Sequence, residues 1–177
     1  MSQSSCGKNE DCDIVTPQPE DLVSPALYAT LSQSSTDPYN GPLEVLPCET
    51  NGSFYIGNYT AKGKQVPFPA YYLITNGIGK SQKYPLRLPV GTYNVIYWGY
   101  PDYFGTAGDA YLADPTLIIG KKLNTTSLGL RKIPGDTVYY PIHSLVYGTQ
   151  NINIGKDDLQ AHLKHASAAL SVIVSET

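Results

Sequence analysis

The sequence predicts a mostly β fold in which two sheets pack as a sandwich, with one short helix near the C-terminus. Tyrosine is unusually frequent, with 15 copies against 3 Phe and 1 Trp, and tyrosine favours pleated, half-buried surfaces. The 16 Gly and 14 Pro residues mark many turns. Short apolar or alternating runs lie between these turn residues, which is the pattern of a β-sandwich.

The length of 177 residues suits one folded domain preceded by a tail. Residues 1–21 are polar, lack periodicity and contain two prolines, so we expect a flexible tether there. Residues 22–177 then form the sandwich. A chain of this length buries roughly 70% of its unfolded surface, so its core needs neither a disulfide nor a metal ion.

The first half of the domain alternates strand signals with turn signals. Residues 26–32 alternate apolar and polar side chains, which predicts a strand with one buried face. Asn51-Gly52 is the strongest hairpin signal, and Asn76-Gly77 is a second turn signal. The strands expected here cover residues 26–32, 43–46, 46–49, 53–59 and 70–75.

The second half contains the strongest strand and the one expected helix. Residues 92–100 are apolar on both faces, which predicts a central strand of the sandwich. One face carries Tyr93, Val95 and Tyr97, and the other carries Asn94, Ile96 and Trp98. Asp157 can cap a helix, and Leu159 and Leu163 lie four residues apart, which predicts a helix ending near His165. Further strands are expected over residues 116–119, 127–132, 137–142, 151–154 and 168–174.

Charge and hydropathy argue against nucleic-acid binding and against a transmembrane helix. The net charge is −3, and no basic stripe or block of like charges is present, so we expect no binding to nucleic acid. No apolar run reaches 18 residues, so the sequence predicts no transmembrane helix.

Catalytic and cofactor motifs are missing from the sequence, so we expect a non-enzymatic protein without cofactors. His162 and His165 lie three residues apart on the predicted helix and could in principle coordinate a metal ion. No third ligand has the spacing of a known site, so no metal site is predicted. His143 is expected to be a packed or hydrogen-bonded polar residue.

Three cysteines, Cys6, Cys12 and Cys48, lie in the first part of the chain, and their spacing matches no zinc site. One interpretation is three ordinary thiols. The other makes Cys6 a lipid attachment site, because two serines precede it and a polar, acidic run follows, as in a mature bacterial lipoprotein. The apolar signal segment that lipidation requires is absent from this sequence. If Cys6 is acylated, Cys12 and Cys48 remain as a possible disulfide.

An aromatic cluster follows the central strand and leaves two interpretations open. Alternating tyrosines are normal in sheets, where the ring packs and the hydroxyl reaches water. The same cluster could instead form an exposed platform for a glycan or a protein. Its members are Tyr97, Tyr100, Tyr103, Phe104 and Tyr111.

Two segments resemble the fimbrillin-like and fimbrial anchor proteins of the Bacteroidales. The first is TVYYPIHSLV at residues 137–146, followed by NINIG at 151–155, Asp158-Leu159 and AALSV at 168–172. The second is LPVGTYNVIYWG at residues 88–99, which is similar to that family's LPxGxYxxxxWG strand. Asp136-Thr137-Val138 also resembles an O-glycosylation site of these bacteria, with Thr137 as the acceptor.

The resemblance implies a transthyretin-like sandwich of about seven strands, the N-terminal domain of two-domain fimbrial subunits. It also implies assembly by donation of a strand from one subunit to the next. The sequence ends at Thr177, about where such a domain would end, and has no Arg before Arg87 for the cleavage that matures stalk subunits. We therefore expect an anchor, tip or accessory subunit rather than a polymerising one.

The implied location is the outer membrane, with a surface-exposed lipoprotein held by its lipid on Cys6 alone. The implied partners are fimbrial or other surface proteins. They would bind through protein–protein contact, which could include strand addition. The alternative function is a stand-alone surface module that uses exposed tyrosines to bind a protein or a host or bacterial glycan.

Overall fold

The computed structural model describes residues 17–31, 37–51, 54–82, 84–101, 112–113, 117–123, 129–130, 135, 137 and 145–166. These residues form one 3-10 helix, Pro19–Asp21, and fourteen strands. In chain order the strands are β1 (Leu22–Val23), β2 (Leu27–Leu31), β3 (Asp37–Pro38), β4 (Gly41–Cys48), β5 (Asn58–Tyr59), β6 (Gln65–Val66), β7 (Ala70–Thr75), β8 (Ile78–Ser81), β9 (Leu88–Pro89), β10 (Gly91–Gly99), β11 (Leu112–Ala113), β12 (Gly129–Leu130), β13 (Val146–Ile154) and β14 (Leu159–His165).

Seven strands form one sheet that closes on itself. Their order is β14-β13-β10-β4-β7-β8-β2, and the pairing of β14 with β2 closes the sheet into a barrel. Six of the seven pairings are antiparallel, and only β2 with β14 is parallel. The mostly β class is confirmed. The two-sheet sandwich is corrected to a closed seven-stranded sheet, because the parallel pairing joins what would otherwise be its two edges.

The main core fills the inside of the barrel. Strands β2, β4, β7, β10, β13 and β14 each turn alternate side chains inward, as expected for the period of two in a strand. The buried residues of this core are Leu27, Ala29, Tyr39, Leu43, Val45, Ala70, Tyr72, Ile74, Leu86, Leu88, Val95, Tyr97, Val146, Ile152, Ile154, Leu159, Ala161 and Leu163.

A second apolar cluster lies on the outer face of β4 and β10. Its buried members are Leu46, Cys48, Tyr55 and Trp98, and partly buried Ile96, Leu117, Leu123 and Leu145 pack against them. Strand β10 pairs with β4 on one side and with β13 on the other, so it is central in the sheet. The prediction of a central strand with two apolar faces is therefore confirmed, since each face packs in its own cluster.

Both predicted reversals occur. The Glu49 N–H donates to the Phe54 carbonyl oxygen at 2.9 Å, and a bridge pairs Cys48 with Tyr55, so the chain turns back around Asn51. At the second reversal Asn76 has φ +50° and Gly77 has φ +78°, the left-handed region that Asn and Gly tolerate best. Strand β7 before this turn has the expected bounds, whereas β8 after it was not predicted.

The predicted helix near the C-terminus is wrong, because this segment is strand β14. Leu159 and Leu163 are four residues apart, but Ala161 between them is also buried, so the apolar period is two and not 3.6. Asp157 does not cap a helix. Its carboxylate accepts from the Asn153 N–H at 3.0 Å and stabilises the turn that joins β13 to β14.

Other predicted strands have different bounds in the structure or lie outside the described residues. Strand β13 begins at Val146 rather than at residue 151, and β4 continues through Pro47 to Cys48. Residues 117–120 are not a strand, and the expected strand at 127–132 is represented by β12. The expected strand at 168–174, and the strand at 137–142 apart from Thr137, lie outside the described residues.

Candidate functional site

The described part of the chain begins at Pro17, which lies against the turn at Gly63. A Cβ on Gly63, which has φ +78°, would lie 3.1 Å from the Pro17 carbonyl oxygen, so the first described residue packs closely on this turn. A capping box between Gln18 and Asp21 stabilises the 3-10 helix, and β1 then pairs with β9. The last residues of the expected tether therefore have defined structure, and residues 1–16 lie outside the described part.

Among the described residues Cys48 is the one cysteine, and it is a free thiol with 0% of its surface exposed. Its Sγ lies 4.0 Å from the Leu46 carbonyl oxygen inside the second apolar cluster. Burial raises the pKa of this thiol to about 11, because the thiolate would lose its hydration. Cys6 and Cys12 lie outside the described residues, so lipidation and the Cys12–Cys48 disulfide stay predictions.

The two described members of the aromatic cluster are core residues. Tyr97 is 0% exposed and Tyr100 is 6% exposed, so neither ring belongs to an exposed platform. Burial strongly raises the pKa of Tyr97, which keeps its phenol neutral and able to donate a hydrogen bond. Tyr103, Phe104 and Tyr111 lie outside the described residues.

Gln150 joins three strands through one side chain. Its oxygen accepts from the Tyr97 hydroxyl at 2.6 Å and from the Gln160 N–H at 2.9 Å. Its Nε2 donates to the Asp158 carbonyl oxygen at 3.3 Å. The amide therefore replaces ladder hydrogen bonds between β13 and β14, whose register is otherwise defined at their Val146–Tyr147 end. No sequence motif signals this role, since an isolated Gln in a strand normally faces solvent.

The two C-terminal histidines do not form a pair. His162 points outward from β14, whereas His165 shares the inward side with Leu163, because neighbours at odd spacing in a strand lie on opposite faces. The His162 Nδ1 lies 3.0 Å from the Thr30 hydroxyl across the parallel closure. No group of three or more His, Cys, Asp or Glu side chains in the described part of the chain could hold a metal ion. His143 lies outside that part.

The outer wall of the barrel at β8, β2, β14 and β13 carries exposed apolar side chains. Tyr28 and Ile78 face each other in register, with 42% and 61% of their surfaces exposed. Tyr147 is 49% exposed and pairs with Lys164. The exposure of Tyr28 could be predicted from the sequence, because Tyr28 falls on the polar side of the alternation in its strand.

Thr137, the predicted glycosylation acceptor, is exposed. Within the residues that the structure describes, no helix has the length and apolar character needed to cross a membrane.

The comparison with protein families matches residues 16–177 to the fimbrillin-A associated anchor proteins Mfa1 and Mfa2. The match spans nearly the whole chain and includes both segments that resemble fimbrial anchors, so the predicted resemblance is confirmed. No curated protein and no solved structure gives a significant match. The chain therefore belongs to the family of fimbrillin-A associated anchor proteins.

Proposed function

We propose that the chain is a lipid-anchored fimbrial anchor, tip or accessory subunit that works by protein–protein contact. The observation that carries the proposal is the family match over residues 16–177. Family membership indicates a fimbrial anchor or accessory protein at the cell surface or outer membrane, with a structural rather than an enzymatic role. The lipid, the manner of contact and the partner are the proposed parts.

The length of the chain before Pro17 limits how far a lipid on Cys6 could lie from the described fold. Cys6 and Pro17 are eleven positions apart in the sequence, and an extended chain spans at most about 40 Å over that distance. Pro17 packs on Gly63, in the turn that joins β5 to β6. A lipid on Cys6 would therefore keep the turn at Gly63 within about 40 Å of the membrane.

The closed sheet favours contact through side chains over strand addition. A donated strand needs a sheet edge with unpaired backbone groups. Within the described residues each of the seven barrel strands has a neighbour on both sides, with β8 meeting β2 at the single pair Ile78–Tyr28, so the barrel leaves little backbone free for a donated strand. The exposed wall with Tyr28, Ile78 and Tyr147 instead suits a fimbrial subunit that brings apolar and aromatic side chains of its own.

The disulfide and the glycosylation are separate parts of the proposal. Pairing of Cys12 with Cys48 would require the second apolar cluster to open, because the Cys48 thiol is fully buried. Thr137 is exposed and so accessible to a glycosyltransferase. Intact-mass analysis of the secreted chain beside Thr137→Ala would detect the glycan as a mass that this variant loses.

The lipid and the partner are tested together in a fimbriated host that expresses the chain behind a lipoprotein signal segment. The parent chain should partition with detergent-phase membranes and copurify with fimbrial subunits. Cys6→Ser should abolish the partition, while the matched control Cys12→Ser should retain it. Partition of Cys6→Ser into the detergent phase would contradict the lipid, and a clean membrane purification without any fimbrial protein would contradict the anchor function.

The alternative of a stand-alone module with exposed tyrosines has less support. Two of its five proposed residues, Tyr97 and Tyr100, are buried, and the other three lie outside the described residues.

A further inference from the structure

A cleft of about 450 Å³ lies between the reversal after β4 and the start of β10. Its volume falls in the range of small-ligand sites, which is roughly 300 to 1,000 Å³. It shares no residue with the predicted tyrosine cluster or with the exposed wall. The lining residues are Glu49, Thr50, Asn51, Ile56, Thr92 and Tyr93.

Hydrogen bonds hold the walls of this cleft in place. The Thr50 hydroxyl donates to the Thr92 carbonyl oxygen at 2.7 Å, and the Asn151 side-chain amide donates to the Thr50 carbonyl oxygen at 3.4 Å. The Tyr93 hydroxyl donates to the Pro89 carbonyl oxygen at 2.8 Å, which fixes the ring. A ligand would therefore meet walls that are already ordered, which reduces the entropy lost on binding.

The lining has the chemistry of a site for a neutral, hydroxyl-rich ligand. The exposed Glu49 carboxylate accepts hydrogen bonds only, and the Asn51 amide has both donors and acceptors. Ile56 and Tyr93 are half-buried against the main core, and the parts of them that line the cleft supply an apolar surface. Among the described residues that line the cleft there is no Lys or Arg, so an anionic ligand would meet a carboxylate there without a cation.

An uncharged polar face continues from the cleft along β10 and β13. Its outward residues are exposed or half-buried amides and hydroxyls, namely Thr92, Asn94, Thr149, Asn151 and Asn153. Register pairs Thr92 with Asn153 and Asn94 with Asn151, so the groups stand side by side. Adjacent amides and hydroxyls match the alternating donors and acceptors of sugar hydroxyl groups, and they extend the surface beyond a single sugar ring.

We infer that this cleft and the adjoining amide face bind a neutral oligosaccharide. The Glu49 carboxylate accepts hydrogen bonds from two sugar hydroxyls, Ile56 and Tyr93 pack against the C–H face of the ring, and the amides of β10 and β13 contact a second sugar unit. The inference does not depend on the proposed fimbrial function, because a chain that fails to bind fimbriae could still bind the sugar.

The test uses amide chemical shifts of the isotope-labelled full chain, titrated with lactose, N-acetyllactosamine, maltotriose and diacetylchitobiose. At least one sugar should shift the amides of Glu49–Asn51 and Thr92–Tyr93 in a saturable way. Glu49→Gln should weaken that binding about tenfold, since it replaces charge-assisted hydrogen bonds with neutral ones. Asp37→Asn, which removes an exposed carboxylate on β3, is the matched control and should bind like the parent.

Any one of three outcomes would overturn the inference. The first is that no sugar shifts any amide of the cleft, and the second is that the shifts map only to other surfaces. The third is that Glu49→Gln and Asp37→Asn bind the sugar equally tightly. A saturable response to a lysine-rich peptide together with none to the sugars would assign the cleft to a cationic side chain of a protein partner instead. The spectrum of each variant also reports whether it is folded.

Discussion

The Tyr97 hydroxyl, buried inside the barrel, donates a 2.6 Å hydrogen bond to the side-chain oxygen of Gln150 on the neighbouring strand β13. The same oxygen accepts from the Gln160 N–H, so one amide joins β10, β13 and β14. Removing the amide leaves a buried hydroxyl without its acceptor, which is more harmful than removing the hydroxyl.

We expect Tyr97→Phe to lower the free energy of unfolding by about 1 kcal/mol and Gln150→Ala by about 2 to 3 kcal/mol. Urea unfolding followed by fluorescence measures both. Thr149→Ala changes an exposed neighbour on the same strand and should be nearly neutral. Equal losses for Gln150→Ala and Thr149→Ala would contradict the joining role of this amide.

Replacing Tyr55 by Phe should affect stability in the opposite direction from Tyr97→Phe. Its hydroxyl is buried in the second apolar cluster and has no hydrogen-bond partner among the described residues. An unpartnered buried hydroxyl is destabilising, so Tyr55→Phe should leave the free energy of unfolding unchanged or raise it by up to about 1 kcal/mol. Tyr97→Phe, measured in the same way, is the comparison. A loss for Tyr55→Phe as large as that for Tyr97→Phe would show that its hydroxyl is bonded.

Strand β14 can be distinguished from the helix that the sequence suggested. In the strand Ala161 faces the core and Gln160 faces solvent, whereas a helix with Leu159 and Leu163 inward would expose Ala161. We expect Ala161→Asp to lower the free energy of unfolding by about 3 kcal/mol or more, because it buries an unpaired charge. Gln160→Asp is the matched control and should change it little. Thermal unfolding of both variants decides the case, and a tolerated Ala161→Asp would favour the helix.

The prediction for β14 failed because the sequence pattern there fits two periods. Leu159 and Leu163 match a helix, and Leu159, Ala161 and Leu163 match a strand equally well. Only the parallel partner β2 decides, since Leu159 pairs with Leu27 and Leu163 with Leu31. This pairing joins distant parts of the chain and leaves no local signal.

Elements with purely local causes were predicted well. The reversal at Asn76-Gly77 follows from two residues that tolerate positive φ, and the strand 70–75 before it was found with its correct bounds. The central strand β10 could be predicted because Val95 and Trp98 make both of its faces apolar. The candidate cleft was not foreseen, because Glu49 and Thr92 meet only when β4 and β10 pair.

Alkaline pH should destabilise the fold in a defined window. Burial raises the pKa of the Cys48 thiol from 9.0 to about 11 and that of the Tyr93 hydroxyl from 10.0 to about 12. Between the ordinary and the raised value the unfolded chain releases a proton that the folded chain keeps. Stability is therefore full below pH 9.0 and falls as pH rises toward 11 for Cys48, and from 10.0 toward 12 for Tyr93.

Urea midpoints measured across this range test the window. Cys48→Ala should be less stable than the parent at neutral pH, because it truncates a buried side chain, but it should show a smaller decrease between pH 9 and 10. A parent midpoint that stays constant up to pH 11, or an unchanged slope in Cys48→Ala, would contradict the assignment.

The contact between Thr30 and His162 joins residues 132 positions apart in the chain. The barrel closes only where β2 meets β14, so a nascent chain cannot complete its sheet until the last of the seven strands has been synthesised. Non-local strand pairings of this kind fold slowly, because the entropy of loop closure is lost before the contacts form. The edge of β2 that pairs with β14 therefore stays unpaired until β14 has been synthesised, and an unpaired edge of this kind promotes aggregation.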